Sequence, residues 1–182
     1  TMLENVLDHI QLQKTAGGKR VVSDENCREL IRHFNRCRLR DEDFQFSDLL
    51  GAAYEYLISE FADSAGKKGG EFYTPRDVVR LMVRVLKPET HMEVYDPTCG
   101  SGGMLILSRE FVQESGGDPT DFRVFGQDSG HSAWAICKMS MLLHGIPYAD
   151  IQREDTLLHP LHREGGELKR FDRVLANPPF SQ

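Results

Sequence analysis

No Cys-x-x-Cys pair occurs in this sequence. Its four cysteines, Cys27, Cys37, Cys99 and Cys137, stand apart. That usage argues against a disulfide scaffold or a zinc ribbon and fits a reduced, cytoplasmic protein. The seven histidines are scattered. Around the nearest pair, His159 and His162, no further group stands at evident ligand spacing, so no metal site is expected. No apolar run is long enough to span a bilayer and no signal peptide is evident, so no membrane association is expected. Positive charge is in deficit too: 22 Lys and Arg stand against 28 Asp and Glu, a formal net charge of −6. Such a chain is not by itself a strong polyanion binder. If its substrate is nucleic acid, a partner or a further segment must supply much of the phosphate contact. Repeats and low-complexity tracts are absent.

What is present is enough apolar material, 40% of 182 residues, for one cored domain with a small appendage. The first third reads as helical. Cys27, Leu30, Ile31 and Phe34 recur at i, i+3, i+4, i+7, with Ser23 or Asp24 as N-cap. Leu50, Ala53, Tyr54, Leu57, Ile58 and Phe61 form a second stripe that Ser47 can cap. "DSAGKKGG" then makes a basic, glycine-rich loop. In "TPRDVVRLMVRVLKP", Thr74 is the expected cap, Pro75 the first helical residue and Asp77 part of a capping box. Val78, Val79, Leu81, Met82, Val85 and Leu86 are the expected buried face, and Lys87-Pro88 the stop. From there strands ("MEVYD", "DFRVFGQD", "ADIQRED", "FDRVLANPPF") alternate with helices ("GGMLILSREFVQES", "SAWAICKMSMLLHG"). That alternation predicts an α/β fold: a Rossmann-like, doubly wound, mainly parallel sheet preceded by a short helical region. The expected division is 1–68 helical and 69–182 ligand-binding.

The loop "DPTCGSGG" falls between the first strand of that sheet and its helix. There glycines allow a sharp turn and a close approach to ligand, and a helix N-terminus offers free N–H groups. Gly100, Gly102 and Gly103 do not complete the dinucleotide pattern G-x-G-x-x-G, and the Gly-Lys-Ser/Thr of a P-loop is absent. Asp96-Pro97 opens the loop with a carboxylate, which repels a pyrophosphate but accepts hydrogen bonds from an ammonium group. That favours S-adenosylmethionine, although the loop read alone is also compatible with a ligand-free turn. Asp128, at the end of the second strand, is placed for ribose hydroxyls or equally for capping the next helix.

The fourth strand runs into Asn177-Pro178-Pro179-Phe180, next to the glycine loop in the usual strand order. The prolines stiffen the chain and remove two N–H donors. The Asn amide oxygen and a proline carbonyl are then two fixed acceptors, suited to a planar –NH2 group, and Phe180 offers a ring for stacking a base. Accepting both hydrogens of an exocyclic amine concentrates lone-pair density on its nitrogen, so methyl transfer to it proceeds by positioning and electrostatics. Read alone, the tetrad is equally a proline-rich strand exit.

Together, "GGEFYTPRDVV", "DPTCGSGGML", "GQD", "EDTL" and "NPPF", in this order from about residue 69 onward, resemble the methylase (modification) subunit of type I restriction–modification systems, a DNA N6-adenine methyltransferase family. The helix "DLLGAAYEYLISEFA" is similar to the family's as well. The resemblance implies that Glu71, Phe72, Tyr73, Thr74, Pro75 and Arg76 bind S-adenosylmethionine with Asp96, Pro97, Gly100, Ser101, Gly102 and Gly103. It further implies that Asp128 takes the ribose hydroxyls, that Asp155 and Thr156 lie near the cofactor's adenine, and that Asn177, Pro178, Pro179 and Phe180 grip a target adenine flipped out of DNA. The implied partners are a specificity subunit that reads the DNA, a restriction subunit and a second methylase subunit. Asp128 stands where the family usually has Glu, and Glu154 where Gly usually precedes Asp155. The family continues beyond the Asn-Pro-Pro-Phe motif, so the chain is expected to be a fragment. Its fourth strand would then be an open edge, and the chain is expected to dimerise through it, to lean on ligands or to be marginally stable. Two further readings stay open: a catalytically silent module that binds cofactor or partners, and an amino-methyltransferase acting on protein glutamine or RNA.

Overall fold

The computed structural model describes residues 4–6, 13–16, 18–36, 49–65 and 74–179. Strands β1 (Thr15–Ala16) and β2 (Lys19–Arg20) form a small antiparallel pair. Helix α1 (Asp24–Phe34) follows, capped by Ser23, whose Oγ accepts from the Asn26 N–H at 3.1 Å. The expected helical spacing is present, yet Leu30, Ile31 and Phe34 are all exposed. Helix α2 (Leu49–Ala65) packs on a later helix; of its expected stripe Ile58 is buried and Tyr54 half-buried, while Ala53 and Leu57 are exposed. Its predicted cap, Ser47, lies outside the described residues.

Helix α3 (Arg76–Leu86) corrects two expectations. Pro75 occupies the N-cap without any side-chain cap bond, so Thr74 does not cap the helix and there is no capping box. The buried residues are Val79 and Val83, with Met82 and Leu86 partly buried, whereas Val78, Leu81 and Val85 are exposed. Apolar residues cover most of this helix's circumference, and only contact with its neighbour selects the arc that is buried. Lys87, in the left-handed region at φ 50°, ends the helix before Pro88.

The expected parallel sheet is present. It comprises β3 (Glu93–Asp96), β4 (Arg123–Asp128), β5 (Asp150–Arg153) and, after a β6 (Arg163–Glu164) and β7 (Glu167–Leu168) hairpin, β8 (Arg173–Val174). The spatial order is β5-β4-β3-β8, with every neighbouring pair parallel. Helices α4 (Gly103–Glu114) and α5 (His131–Leu143) cover the face that presents Val94 and Val124. α3 packs on α4, and α2 on α5. The other face, carrying Tyr95 and Phe125, is covered by His162 and Phe171; Tyr95 and Phe171 stack with centroids 4.5 Å apart.

The chain therefore moves outward from β3 to β5, then returns across the opposite face to place β8 on β3's free side. This reversal opens a crevice at the carboxyl ends of β3 and β8, where open α/β sheets bind ligands. β8 is an edge of the four-stranded sheet, and Val174 on it is exposed.

Candidate functional site

Thr74, Arg76, Asp96, Gly100, Ser101 and Gly103 line one cleft together with Asn177. The cleft itself has ≈ 50 Å³ of room, so it is a narrow groove that opens to solvent, and a nucleoside-sized ligand must widen it or lie partly outside. Asp96 ends β3 with its side chain almost fully buried. Its Oδ1 accepts from the Thr98 N–H at 3.0 Å. Burial pushes its carboxyl up to about 7; the Thr98 N–H opposes the shift, and the nearby Asp128 charge adds to it. The buried Thr98 hydroxyl beside it opposes the shift as well.

The turn after Asp96 is sewn to neighbouring strand exits. The Gly102 N–H closes it on the Cys99 carbonyl at 2.7 Å, and Gly102 adopts φ 86°, which a residue with a Cβ rarely tolerates. Gly102 itself is buried under the turn, with Pro97 half-buried beside it. The Asp128 carboxylate is shared: Oδ2 accepts from Gly100 N–H at 2.9 Å and Oδ1 from Gly130 N–H at 2.8 Å. Gly130, not Asp128, is the N-cap of α5. Each carboxylate oxygen retains a lone pair for a further donor. If this clamp is structural, Asp128→Ala will lower the ligand-free chain's stability by about 1–3 kcal/mol, seen as an earlier urea midpoint. An unchanged midpoint would leave Asp128 with no work outside ligand binding.

Thr156 donates to the Pro97 carbonyl at 2.6 Å, which brings the exit of β5 against the turn. Asp155 spends Oδ1 on the Leu157 and Leu158 N–H groups, both at 2.9 Å. Asn177 follows β8, and its Nδ2 donates to Thr74 Oγ1 at 3.1 Å. Pro75, Pro178 and Pro179 are exposed. Glu71, Phe72, Tyr73 and Phe180, also expected at the site, lie outside the described residues.

Arg76 is engaged with protein. Its guanidinium pairs with Glu55 of α2 and, at 2.9 Å, with Glu110 of α4. Burial opposes its charge, but the two carboxylates outweigh that and raise its affinity for the proton above the ordinary value.

Three contributors escaped the sequence reading. Glu55 and Glu110 hold Arg76. Gln127, fully buried, donates to the carbonyls of Glu154 at 3.1 Å and His159 at 3.0 Å and accepts from the Leu161 N–H at 3.0 Å. Its amide fixes the loop that carries Asp155 and Thr156. An amide inside an otherwise apolar strand was the available signal, since a buried polar side chain must find partners.

A parallel sheet reversing beside its first strand, with a glycine turn and a buried acid at the crevice, defines the class: the fold of S-adenosylmethionine-dependent methyltransferases. A Listeria monocytogenes structure assigned to class I of those enzymes, 14% identical, has a TM-score of 0.63 over 97% of this chain and 49% of that one, a likeness of fold alone. Residues 45–182 match the family of N-6 DNA methylases, and the chain belongs to that family. It is 35% identical, over 91% of its own length and 32% of the relative's, to the methylase subunit of the type I restriction enzyme MpnII of Mycoplasma pneumoniae. The corresponding HindI subunit of Haemophilus influenzae is 32% identical over 93% of this chain and 39% of the relative. Among solved structures, the methyltransferase subunit of a type I restriction–modification system from Streptococcus thermophilus has a TM-score of 0.78 at 30% identity. That match covers 99% of this chain and 37% of that one. The chain thus spans about a third of the length of these relatives. Among the described residues no helix is long and apolar enough to cross a membrane.

Proposed function

We propose that this chain carries the methyl-donor site and the amine-binding asparagine of a type I modification subunit. The reaction would be transfer of a methyl group from S-adenosylmethionine to N6 of adenine in DNA. The observation that carries this reading is the placement of the buried Asp96 carboxyl and the Asn177 amide on one cleft at the sheet's switch point.

The residues fit the donor. Among the described residues the buried Asp96 carboxyl has no cationic partner, which suits an ammonium group. The first N–H groups of α4 are left free by helix geometry and suit the carboxylate of an amino acid. Asp128 has lone pairs left for ribose hydroxyls, and Asp155 and Thr156 border the place assigned to adenine. The domain assigned to binding is 69–182, after the helical region 1–68, with Glu71, Phe72 and Tyr73 contributing from its start.

When bound, S-adenosylmethionine supplies a methyl group made electrophilic by its attached sulfonium. Asn177 Oδ1 and the Pro178 carbonyl accept the two hydrogens of the target amine. Holding both hydrogens draws the nitrogen toward a tetrahedral geometry, so its lone pair leaves the ring's π system and faces the methyl donor; on transfer the C–S bond's electrons would stay on sulfur and one N–H proton would pass to solvent. Phe180 supplies the stacking face for a base turned out of the duplex. The net charge of −6 supports a division of labour in which a specificity subunit reads the DNA, alongside a second methylase subunit and a restriction subunit.

Calorimetric titration with S-adenosylmethionine, with Asp96→Ala and NAD as controls, tests the donor site. Saturable binding that is lost in Asp96→Ala, with none for NAD, is the expected result. Methyl transfer to DNA by the assembled enzyme tests the reaction, and binding without transfer would reduce the chain to a cofactor-binding module. Absence of binding in the folded chain would sink the reading.

A further inference from the structure

We propose that Glu55 is a specificity residue of the donor cleft: its carboxylate makes the cleft favour the cationic methyl donor over the demethylated product. The inference rests on the reading of this cleft as the S-adenosylmethionine site.

Helix α2, which carries Glu55, turns one side inward. Gly51, Tyr54, Glu55, Ile58 and Ser59 recur at i, i+3, i+4, i+7, i+8 and are buried or half-buried. Ala53, Tyr56, Leu57 and Glu60, on the other side, are exposed. A carboxylate in the middle of an inward stripe is unfavourable unless another charge or a ligand meets it. Glu55 and Ile58 both line the cleft that holds Asp96 and Asn177. So α2 is one of the cleft's walls, although it belongs to the region expected to precede the binding domain.

The charges at that wall do not cancel. Arg76 is the one cation among the described residues that line the cleft. Glu55 shares it with Glu110 of α4, which lies 2.9 Å from the guanidinium on its other side. The trio therefore carries one net negative charge. Across the cleft the Asp96 carboxyl adds a second when ionised, with the Asp128 charge close behind it. S-adenosylmethionine, with a sulfonium, an ammonium and a carboxylate, has one net positive charge. The thioether left after transfer has lost the sulfonium charge and is neutral overall. The two ligands otherwise differ by a single methyl group. A negative wall thus acts on the difference between them, holding the donor more firmly and favouring replacement of product by fresh donor. The Glu55 side chain is 23% exposed, so solvent screens its effect to a modest size.

The test is calorimetry on this chain at pH 8 with S-adenosylmethionine and with S-adenosylhomocysteine, and its readout is the ratio of the two affinities. Glu55→Gln keeps an oxygen for Arg76 and removes the charge. It should shift the ratio toward the product by about three- to tenfold. Glu110→Gln removes a charge from the same arginine at a position that does not line the cleft, and should shift the ratio the same way by less. In the native chain, about 1 M salt, with a Debye length of about 3 Å, should also move the ratio toward the product, with no substitution to disturb folding. A Glu55 that only holds the fold together would weaken both ligands alike. Equal losses for the two ligands in Glu55→Gln would therefore overturn the proposal. So would a native ratio that salt leaves unchanged. Failure of the underlying functional reading looks different: the native chain would bind neither ligand.

Discussion

At pH 8, Asp96→Asn will melt several degrees above the native chain and will bind S-adenosylmethionine about 10- to 100-fold more weakly. Both effects come from one carboxyl. In the folded chain Asp96 is almost wholly buried, and its pKa lies at about 7, against an ordinary value of 3.8. Between those values the unfolded chain has released the proton while the folded chain still holds it. Stability therefore falls as pH rises from about 4 to about 7 and stays low above. The interval corresponds to about 4 kcal/mol as an upper bound. Asparagine keeps an oxygen for the Thr98 N–H and never ionises, so it escapes this loss. At pH 4 the two chains should differ little. Binding runs the other way, because the proposed ammonium partner needs the charged form. Native affinity should rise from pH 6 to pH 8, by up to about tenfold for each pH unit below 7. The Asp96→Asn variant retains only the ligand's own titration and so isolates the Asp96 contribution. Parallel melting and calorimetric series at pH 4, 6 and 8 check both halves. Equal melting of the two chains at pH 8 would mean that the carboxyl is not strained in the empty site. Such a trade, stability lost so that a ligand charge can be met, is common at functional positions.

How far this site could be read without coordinates depended on whether its parts were local. Strand–helix alternation is a local pattern, and it led to the parallel sheet and the place of the glycine turn. The roles of Asp96 and Asn177 were argued from residue type and strand-end position, and the structure brings both to one cleft. Thr74 was misread because its chain neighbours made it a good cap, while its actual partner lies 103 residues away. The protein partners of Arg76 were out of reach for the same reason, as neither Glu55 nor Glu110 signals a mate in sequence. Helix α3 shows a different difficulty. Val78, Val79, Leu81, Met82, Val83, Val85 and Leu86 are all apolar, and periodicity could not choose among overlapping stripes. The structure buries Val79 and Val83 and leaves Val78, Leu81 and Val85 exposed.

Gly102 carries the second large effect, and only half of the reason is legible in the sequence. A glycine-rich turn at the mouth of a helix is expected to approach a ligand, but Gly102 is buried and approaches protein. A Cβ built on it would collide with Met141 Cε and lie 2.8 Å from Cys137 Sγ. Both side chains belong to α5 and are fully buried; the flexible end of Met141 can swing aside, but Cys137 Sγ, one bond from its Cβ, has little freedom to give way. Its φ of 86° adds a backbone penalty of about 1–2 kcal/mol for any residue with a Cβ. Overpacking of a closed core adds about 1–3 kcal/mol. Gly102→Ala is therefore expected to destabilise the chain by about 2–5 kcal/mol, measured by urea unfolding. Combining it with Cys137→Ala separates the two causes. Relief in the double variant, beyond the sum of the single effects, would identify the steric part, while strict additivity would leave only the backbone strain. The cofactor site should suffer with the fold. The Gly102 N–H closes the turn on Cys99, and its carbonyl accepts the first helical bonds of α4, from Leu105 and Ile106 at 3.1 Å. A residue that is both the last of the turn and the hinge of the helix cannot shift without moving the free N–H groups proposed to meet the donor's carboxylate. Any Gly102→Ala chain that still folds should thus bind S-adenosylmethionine more weakly, and native-like affinity in it would detach the helix N-terminus from the proposed site.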